Sequence, residues 1–168
     1  HATRLADTLS VAFCADSTGT SDLYLVDFNQ ATGASSKPRQ LYRSPGSATG
    51  CPTFSPDGKR IAFVSNKDGS PRIYVMNIPP ISANLKDIKP QLLTKRCSEN
   101  SAPAWSPNGK KLAYSGRQGK EARQIWIYDF ESGKETRLTE GAGDKESPSW
   151  AMNSLHLVYH SRMKDGTS

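Results

Sequence analysis

No stretch of this 168-residue chain approaches the roughly 18 consecutive apolar residues that a membrane-spanning helix needs, so no membrane insertion is expected. No window spaces its apolar residues at the helical period over several turns either, which excludes helical and leucine-rich repeats. Catalytic signatures are absent too. There is no HExxH, Walker loop or GxGxxG, and Gly46-Ser47-Ala48-Thr49-Gly50 sets its serine in the second place, not the third place of a GxSxG elbow. Asp57, Asp68, Asp144 and Asp165 stand in turn contexts that local hydrogen bonding explains. The chain therefore reads as not an enzyme, with no catalytic residue, no metal site and no cofactor.

Long runs of one charge are also missing. Twenty-two Lys plus Arg against 16 Asp plus Glu give a net +6, yet the basic residues come in nothing longer than pairs such as Lys59-Arg60, Lys95-Arg96 and Lys110-Lys111. Nucleic-acid binding calls for a denser stripe with aromatic platforms and is not expected. Lysines that follow a turn make a solvated face and blunt a sheet edge. Acidic protein partners or an anionic envelope surface suit this charge better.

What the chain has is repetition. PTFSPDGKRIAFVS from Pro52 returns as PAWSPNGKKLAYSG from Pro103 and, more worn, as PSWAMNSLHLVYHS from Pro148, at spacings of 51 and 45 residues. Units of that size build solenoids, propellers or arrays. Ser55-Pro56-Asp57-Gly58 fits a type I turn with a bulge: Pro56 presets φ, Asp57 suits the third place, and Gly58 tolerates φ > 0. Alternating β-type residues flank it, with Ile61 and Phe63 on one face, so each unit opens with a hairpin. A second turn leads to a third strand, RIYVMN from Arg72 and QIWIYD from Gln124, and a variable loop leads to a fourth, QLLT from Gln91 and TRLT from Thr136.

Four short antiparallel strands per unit are the blade of a β-propeller, which makes the chain all-β. The first unit aligns only from its second strand, SVAF at Ser10, since residues 1–8 offer no PxFSPDGK strand, and the last runs only to the second turn, at 162–168. The blades are read as 9–42, 51–94, 102–139 and 147–168, or about three and a quarter, where a ring needs at least about four. An incomplete propeller is expected, a fragment whose end blades expose unpaired strand edges and apolar faces.

Aromatics recurring once per blade, namely Phe54, Trp105, Trp150, Tyr74 and Trp126, are read as packing between blades. His156 and His160 fall on one strand, where residues four apart are about 13 Å apart and cannot share an ion. Three cysteines leave at least one unpaired. Cys51 and Cys97 lie in comparable inter-blade connections, so a bridge is conceivable there, but neighbouring loops often exceed the roughly 7 Å limit on Cα separation, and three free thiols are expected.

The repeats PxWSPDGKxLAFxS, DGxxxIYVMD and RLT resemble those of the C-terminal β-propeller of the TolB family, the periplasmic component of the Tol-Pal envelope system. Residues 51–77 and 102–139 carry the pattern closely, 9–42 carry its second half, and 147–168 depart from it, with Met152 and Ser154 in place of the turn proline and glycine. The resemblance implies a non-catalytic periplasmic scaffold that binds the peptidoglycan-associated lipoprotein and other Tol proteins through one propeller mouth, in envelope integrity and cell division. Carried onto this sequence, the partner-facing residues are Thr49, Gly50 and Cys51, then Glu99, Asn100, Ser101 and Ala102, then Glu146 and Ser147, all in the loops ahead of the repeated prolines. Similar repeats also build the propellers of prolyl-oligopeptidase-like peptidases and of oligogalacturonate lyases, so a gating propeller of such an enzyme is the alternative.

Overall fold

A computed structural model describes residues 8–17, 20–44, 47 and 49–163. Expectations that fall on 1–7, on 45, 46 and 48, and on 164–168 lie outside the described residues. Four antiparallel sheets follow one another along the chain. The first has three strands, β1 (Thr8–Ser17), β2 (Thr20–Asn29) and β3 (Arg39–Tyr42). The second has four: β4 (Thr49–Phe54), β5 (Arg60–Ser65), β6 (Arg72–Asn77) and β7 (Gln91–Leu92). The third repeats it with β8 (Glu99–Trp105), β9 (Lys111–Arg117), β10 (Gln124–Asp129) and β11 (Glu135–Arg137). The last has two, β12 (Asp144–Trp150) and β13 (Leu157–Arg162). Among the described residues the helical content is one short 3-10 turn, Leu85–Asp87, so the all-β reading holds.

The hairpin turns form as their chemistry requires. Gly58 donates its N–H to the Ser55 carbonyl at 2.8 Å and takes φ 71°, and Gly109 does the same with Ser106. Asp57 fixes the corner by accepting from the Ser55 hydroxyl at 2.6 Å and from the Lys59 amide at 3.0 Å. Those two hydrogen bonds, the serine's first, hold its carboxyl below the usual range.

The pleat then sorts side chains between neighbouring sheets. On β5, Ile61 and Phe63 point to one side and join Leu23, Leu25, Leu41 and Tyr42 of the first sheet. Ala62, one residue out of phase, points to the other and joins Trp105, Leu112, Tyr114 and Trp126 of the third. Full burial of an aliphatic or Phe side chain contributes about 1.5–3 kcal/mol, so these two layers supply most of the drive for stacking. Of the repeated aromatics, Tyr74, Trp105 and Trp126 are buried, and Phe54 packs against the first layer.

The repeated tryptophan also ties each sheet to the one before. Trp105 Nε1 donates to the Thr53 carbonyl at 3.1 Å, and Trp150 Nε1 to the Ala104 carbonyl at 2.9 Å. Thr53 and Ala104 each follow the repeated proline directly, so the same bond is made twice at the same register.

Packing is close where β9 passes the connection into β8. A Cβ added at Gly116 would lie 2.5 Å from Cys97 Sγ, 2.9 Å from Asn100 Nδ2 and 3.1 Å from Trp126 Cδ1. Gly116→Ala should therefore destabilise the protein by about 1–3 kcal/mol in urea titration. Adding Cys97→Ala removes the nearest obstruction, and the double variant should be more stable than the two single losses add up to. Simple additivity would mean that the two positions do not share this space.

Candidate functional site

The segments ahead of the repeated prolines are strands, not the loops expected from sequence. Thr49, Gly50 and Cys51 belong to β4, Glu99, Asn100, Ser101 and Ala102 to β8, and Glu146 and Ser147 to β12. The proline misleads because it has no N–H for the ladder and reads as a strand boundary. Here it sits in a β-bulge on an edge strand, where such residues are tolerated. The register slips between Gly50 and Thr53, between Ser101 and Ala104, and between Glu146 and Ser149, and pairing resumes beyond each slip. At every slip the residue before the proline is left-handed: Cys51 at φ 52°, Ala102 at 51° and Ser147 at 53°. Three non-glycine residues held in a conformation that costs roughly 1–2 kcal/mol mark one structural position that packing enforces.

The bulge divides the predicted residues by role. Cys51 and Ser147 are exposed at its tip. Three places ahead of each proline, Thr49, Asn100 and Lys145 are buried. Asn100 Oδ1 accepts from the Thr94 hydroxyl at 2.8 Å, and its backbone N–H donates to the Pro71 carbonyl at 2.8 Å. Lys145 turns its ammonium into the connection behind it, donating to the carbonyls of Gly141, Ala142 and Gly143 at 3.2, 3.0 and 3.0 Å. Asn100 and Thr49 are thus withdrawn from the surface, contrary to the expectation that they face a partner.

Glu99 and Glu146 do come together, through an arginine that sequence reasoning missed. Arg123, just ahead of β10, donates from Nη2 to Glu99 Oε1 at 3.1 Å and from Nη1 to Glu146 Oε1 at 2.8 Å. Its backbone N–H donates to Asp144 Oδ1 at 2.8 Å. Arg117 adds its charge, with Nε 3.3 Å from Glu99 at an angle that makes no hydrogen bond, and Nη2 3.8 Å from Asp144. Glu99 is therefore neutralised within the protein and is not a free acceptor. All five side chains are about a third exposed, from 32% to 34%, so each pair is worth about 0.2–1 kcal/mol. Their value lies in joining β8 of the third sheet to β12 of the fourth at one end of the stack.

The three cysteines are free thiols. Cys97 is buried, and desolvation pushes its thiol up to about 11, with the neighbouring Asn100 side chain opposing the shift. His156 lies just before β13, its Nδ1 2.9 Å from Asn153 Nδ2. Among the described residues no three of His, Cys, Asp or Glu gather as metal ligands. None of their helices is long and apolar enough to cross a membrane, which says nothing of a β-barrel.

Stacked four-stranded antiparallel sheets, each with a hairpin turn at one end of its first strand and a bulged proline towards the other, define a β-propeller. The chain belongs to the TolB beta propeller domain family, whose model matches residues 5–168. It is 54% identical over 137 residues to a protein TolB homolog of Protochlamydia amoebophila, covering 82% of this chain and 29% of that protein. A Tol-Pal system protein TolB of Desulfosudis oleivorans is 35% identical over 106 residues, which are 59% of this chain and 20% of the relative. Among solved structures, TolB from Acinetobacter baumannii superposes with a TM-score of 0.71 at 28% identity, over 91% of this chain and 35% of that one. The chain thus spans about a third or less of each of these proteins.

The tie between the third and fourth sheets titrates. The Arg123 amide, and after it the charges of Arg117 and Arg123, hold the Asp144 carboxyl below its ordinary value of 3.8. A carboxyl depressed in the folded state adds stability above its unfolded value and loses it as pH falls through the folded one. Asp144→Asn should therefore be less stable than the parent near pH 7, and the difference should shrink as pH falls below the ordinary carboxyl value, in denaturant titrations at neutral and acidic pH. A difference that persisted unchanged at the acidic end would show that the asparagine disturbs packing and that charge is not the cause.

Proposed function

We propose that the chain is part of a non-catalytic, periplasmic protein-binding propeller of the Tol-Pal system. It binds the peptidoglycan-associated lipoprotein through the bulged end of its sheets and serves envelope integrity and cell division. The observation that carries the reading is the repeated left-handed residue: the same register position is turned out of the sheet at Cys51, Ala102 and Ser147, on three consecutive blades. A surface formed by one position repeated around a stack suits a partner lying across several blades. The relatives' names, Tol-Pal system protein TolB among them, support the system. Thr49 and Asn100 shape this surface from beneath, while Gly50, Cys51, Ser101, Ala102 and Ser147 meet the partner at the bulges. Glu99 and Glu146 act through the Arg123 bridge, which offers a partner both a guanidinium and carboxylates.

Titration calorimetry with the purified lipoprotein tests this. Glu99→Lys should weaken binding at least about tenfold, or 1.4 kcal/mol, because it sets a third cation beside Arg117 and Arg123. Lys110→Glu, in the hairpin turn at the opposite end, should change it little. The reverse ranking would put the partner on the other face. A second readout needs no substitution: saturating lipoprotein should slow maleimide labelling of the exposed Cys51 at least about tenfold, followed by peptide mass mapping, since a residue at a well-packed interface is shielded from solvent. Unchanged labelling would remove Cys51 from the interface.

A further inference from the structure

The second and third sheets also meet at their other end, where a groove of about 580 Å3 opens between them. Its lining is mixed: Ile78, Pro79 and Ile88 on one side and Tyr128 and Phe130 on the other are apolar, and Asn77 and Gln91 add polar groups. The two charged residues that line it, Arg60 and Lys89, are both positive. This end is opposite the bulges: Arg60 pairs with Asn77 at one end of β5, while Ser65 at the other pairs with Thr49.

The wall formed by 78–90 is a built feature. The corresponding connection of the third sheet runs only from 130 to 134. Ile78 N–H donates to the Lys59 carbonyl at 2.9 Å, and Arg39 Nη1 reaches across from the first sheet to the Pro79 carbonyl at 2.8 Å. Asn84 caps the 3-10 turn by accepting from the Lys86 amide, and Pro90 is buried. The segment is fastened at both ends and leaves a cleft beneath it.

Arg60 is the unusual member. Its guanidinium carbon lies 4.7 Å from the Trp105 ring centre and 4.5 Å from that of Phe130, and the two rings stack at 4.9 Å. Packing against rings does not satisfy the donors of the fork. Its hydrogen bond in the protein is a long one, 3.5 Å from Nη2 to the Gly109 carbonyl. Among the described residues neither Arg60 nor Lys89 makes a salt bridge, although the Asp57 carboxyl is close enough to feel the Arg60 charge. The nearby Asp129 turns its carboxylate to its own turn, accepting from the amides of Glu131 and Ser132. A half-buried guanidinium with one long hydrogen bond, beside a groove that also carries apolar side chains, is arranged to receive a carboxylate from a chain that has apolar neighbours.

We propose that this groove is a second docking surface, which takes an extended acidic peptide segment of a partner protein, with a carboxylate on Arg60, a second near Lys89, and an aliphatic or proline side chain between Tyr128 and Ile88. A planar anionic surface fits less well, because Arg60 is recessed against Trp105 and Phe130 where a single side chain can reach it. The groove lies between two four-stranded sheets and does not depend on the bulged end or on what binds there.

Fluorescence anisotropy with a labelled Glu-Leu-Pro-Glu-Leu-Glu peptide tests the assignment. Saturable binding is expected, weakened at least about tenfold by Arg60→Met, which keeps an apolar stem against the rings, and at least about threefold by Lys89→Glu. Arg123→Met, at the bulged end, should stay within about twofold of the parent. A matching Lys-Leu-Pro peptide should not bind. Lys89 is exposed, so if Arg60→Met melts early the Lys89→Glu result decides alone. No binding of the acidic peptide, equal binding by the parent and Lys89→Glu, or binding of phosphatidylglycerol vesicles that the peptide cannot displace would each overturn the proposal.

Discussion

The constraint on which the rest depends is that no sheet here can cover its own faces. The second sheet buries Ile61 and Phe63 against the first and Ala62 against the third, so its strand alternation has meaning only inside a stack. The tryptophan bonds to Thr53 and Ala104 set the spacing of that stack, since a buried indole N–H left without an acceptor costs about 1–3 kcal/mol. Side chains in the middle of β5, β6, β9 and β10 are thereby committed to neighbours, whereas β13 of the last sheet stays largely exposed. In the two central sheets, freedom to vary lies at the ends.

The two ends are built by different means. At one, a Pro/Gly turn closes the hairpin with its own hydrogen bonds and exposes lysines. At the other, the strand continues past a left-handed residue, and polar side chains three places ahead of the proline fasten the incoming connection: Asn100 to Thr94, Lys145 to the 141–143 carbonyls. Buried anchors beneath an exposed bulge tip fasten that surface from below, an arrangement that suits the proposed binding role by lowering its ordering cost. The arginine bridge adds cohesion between sheets while staying a third exposed, so each of its pairs contributes modestly.

Repeat period, hairpin chemistry and strand alternation were legible in the chain because each is local and recurs. Ser55 to Gly58 announces its turn in four residues, and Ile61 and Phe63 announce their face in three. The site was less legible. Cys51 and Ser147 could be placed by their proline, but nothing local shows that the chain before them is paired, because the bulge depends on a partner strand more than ten residues on. Glu99 looked free for the same reason: its arginine lies 24 positions away, and no spacing rule joins residues on different strands. Asn100 and Lys145 share a register position but no side-chain type, so their common burial left no pattern to read.

The worn fourth repeat shows which part of the turn motif is indispensable. Pro56 and Gly58 are replaced there by Met152 and Ser154, yet the turn closes, with Ser154 N–H donating to the Ala151 carbonyl at 3.0 Å. Asn153 keeps the corner role of Asp57 and Asn108 by accepting from the Leu155 amide at 2.9 Å. Ser154 adopts φ 59° where glycine stood, which costs roughly 1–2 kcal/mol. Its hydroxyl accepts the Asn108 N–H of the third sheet at 3.1 Å, a bond that glycine could not make and worth about 0.5–1.5 kcal/mol. The strain in one turn is thus largely offset by a tie to the neighbouring blade. The side-chain oxygen at the corner is therefore the fixed requirement, and glycine is one of two ways to meet the backbone condition that follows it.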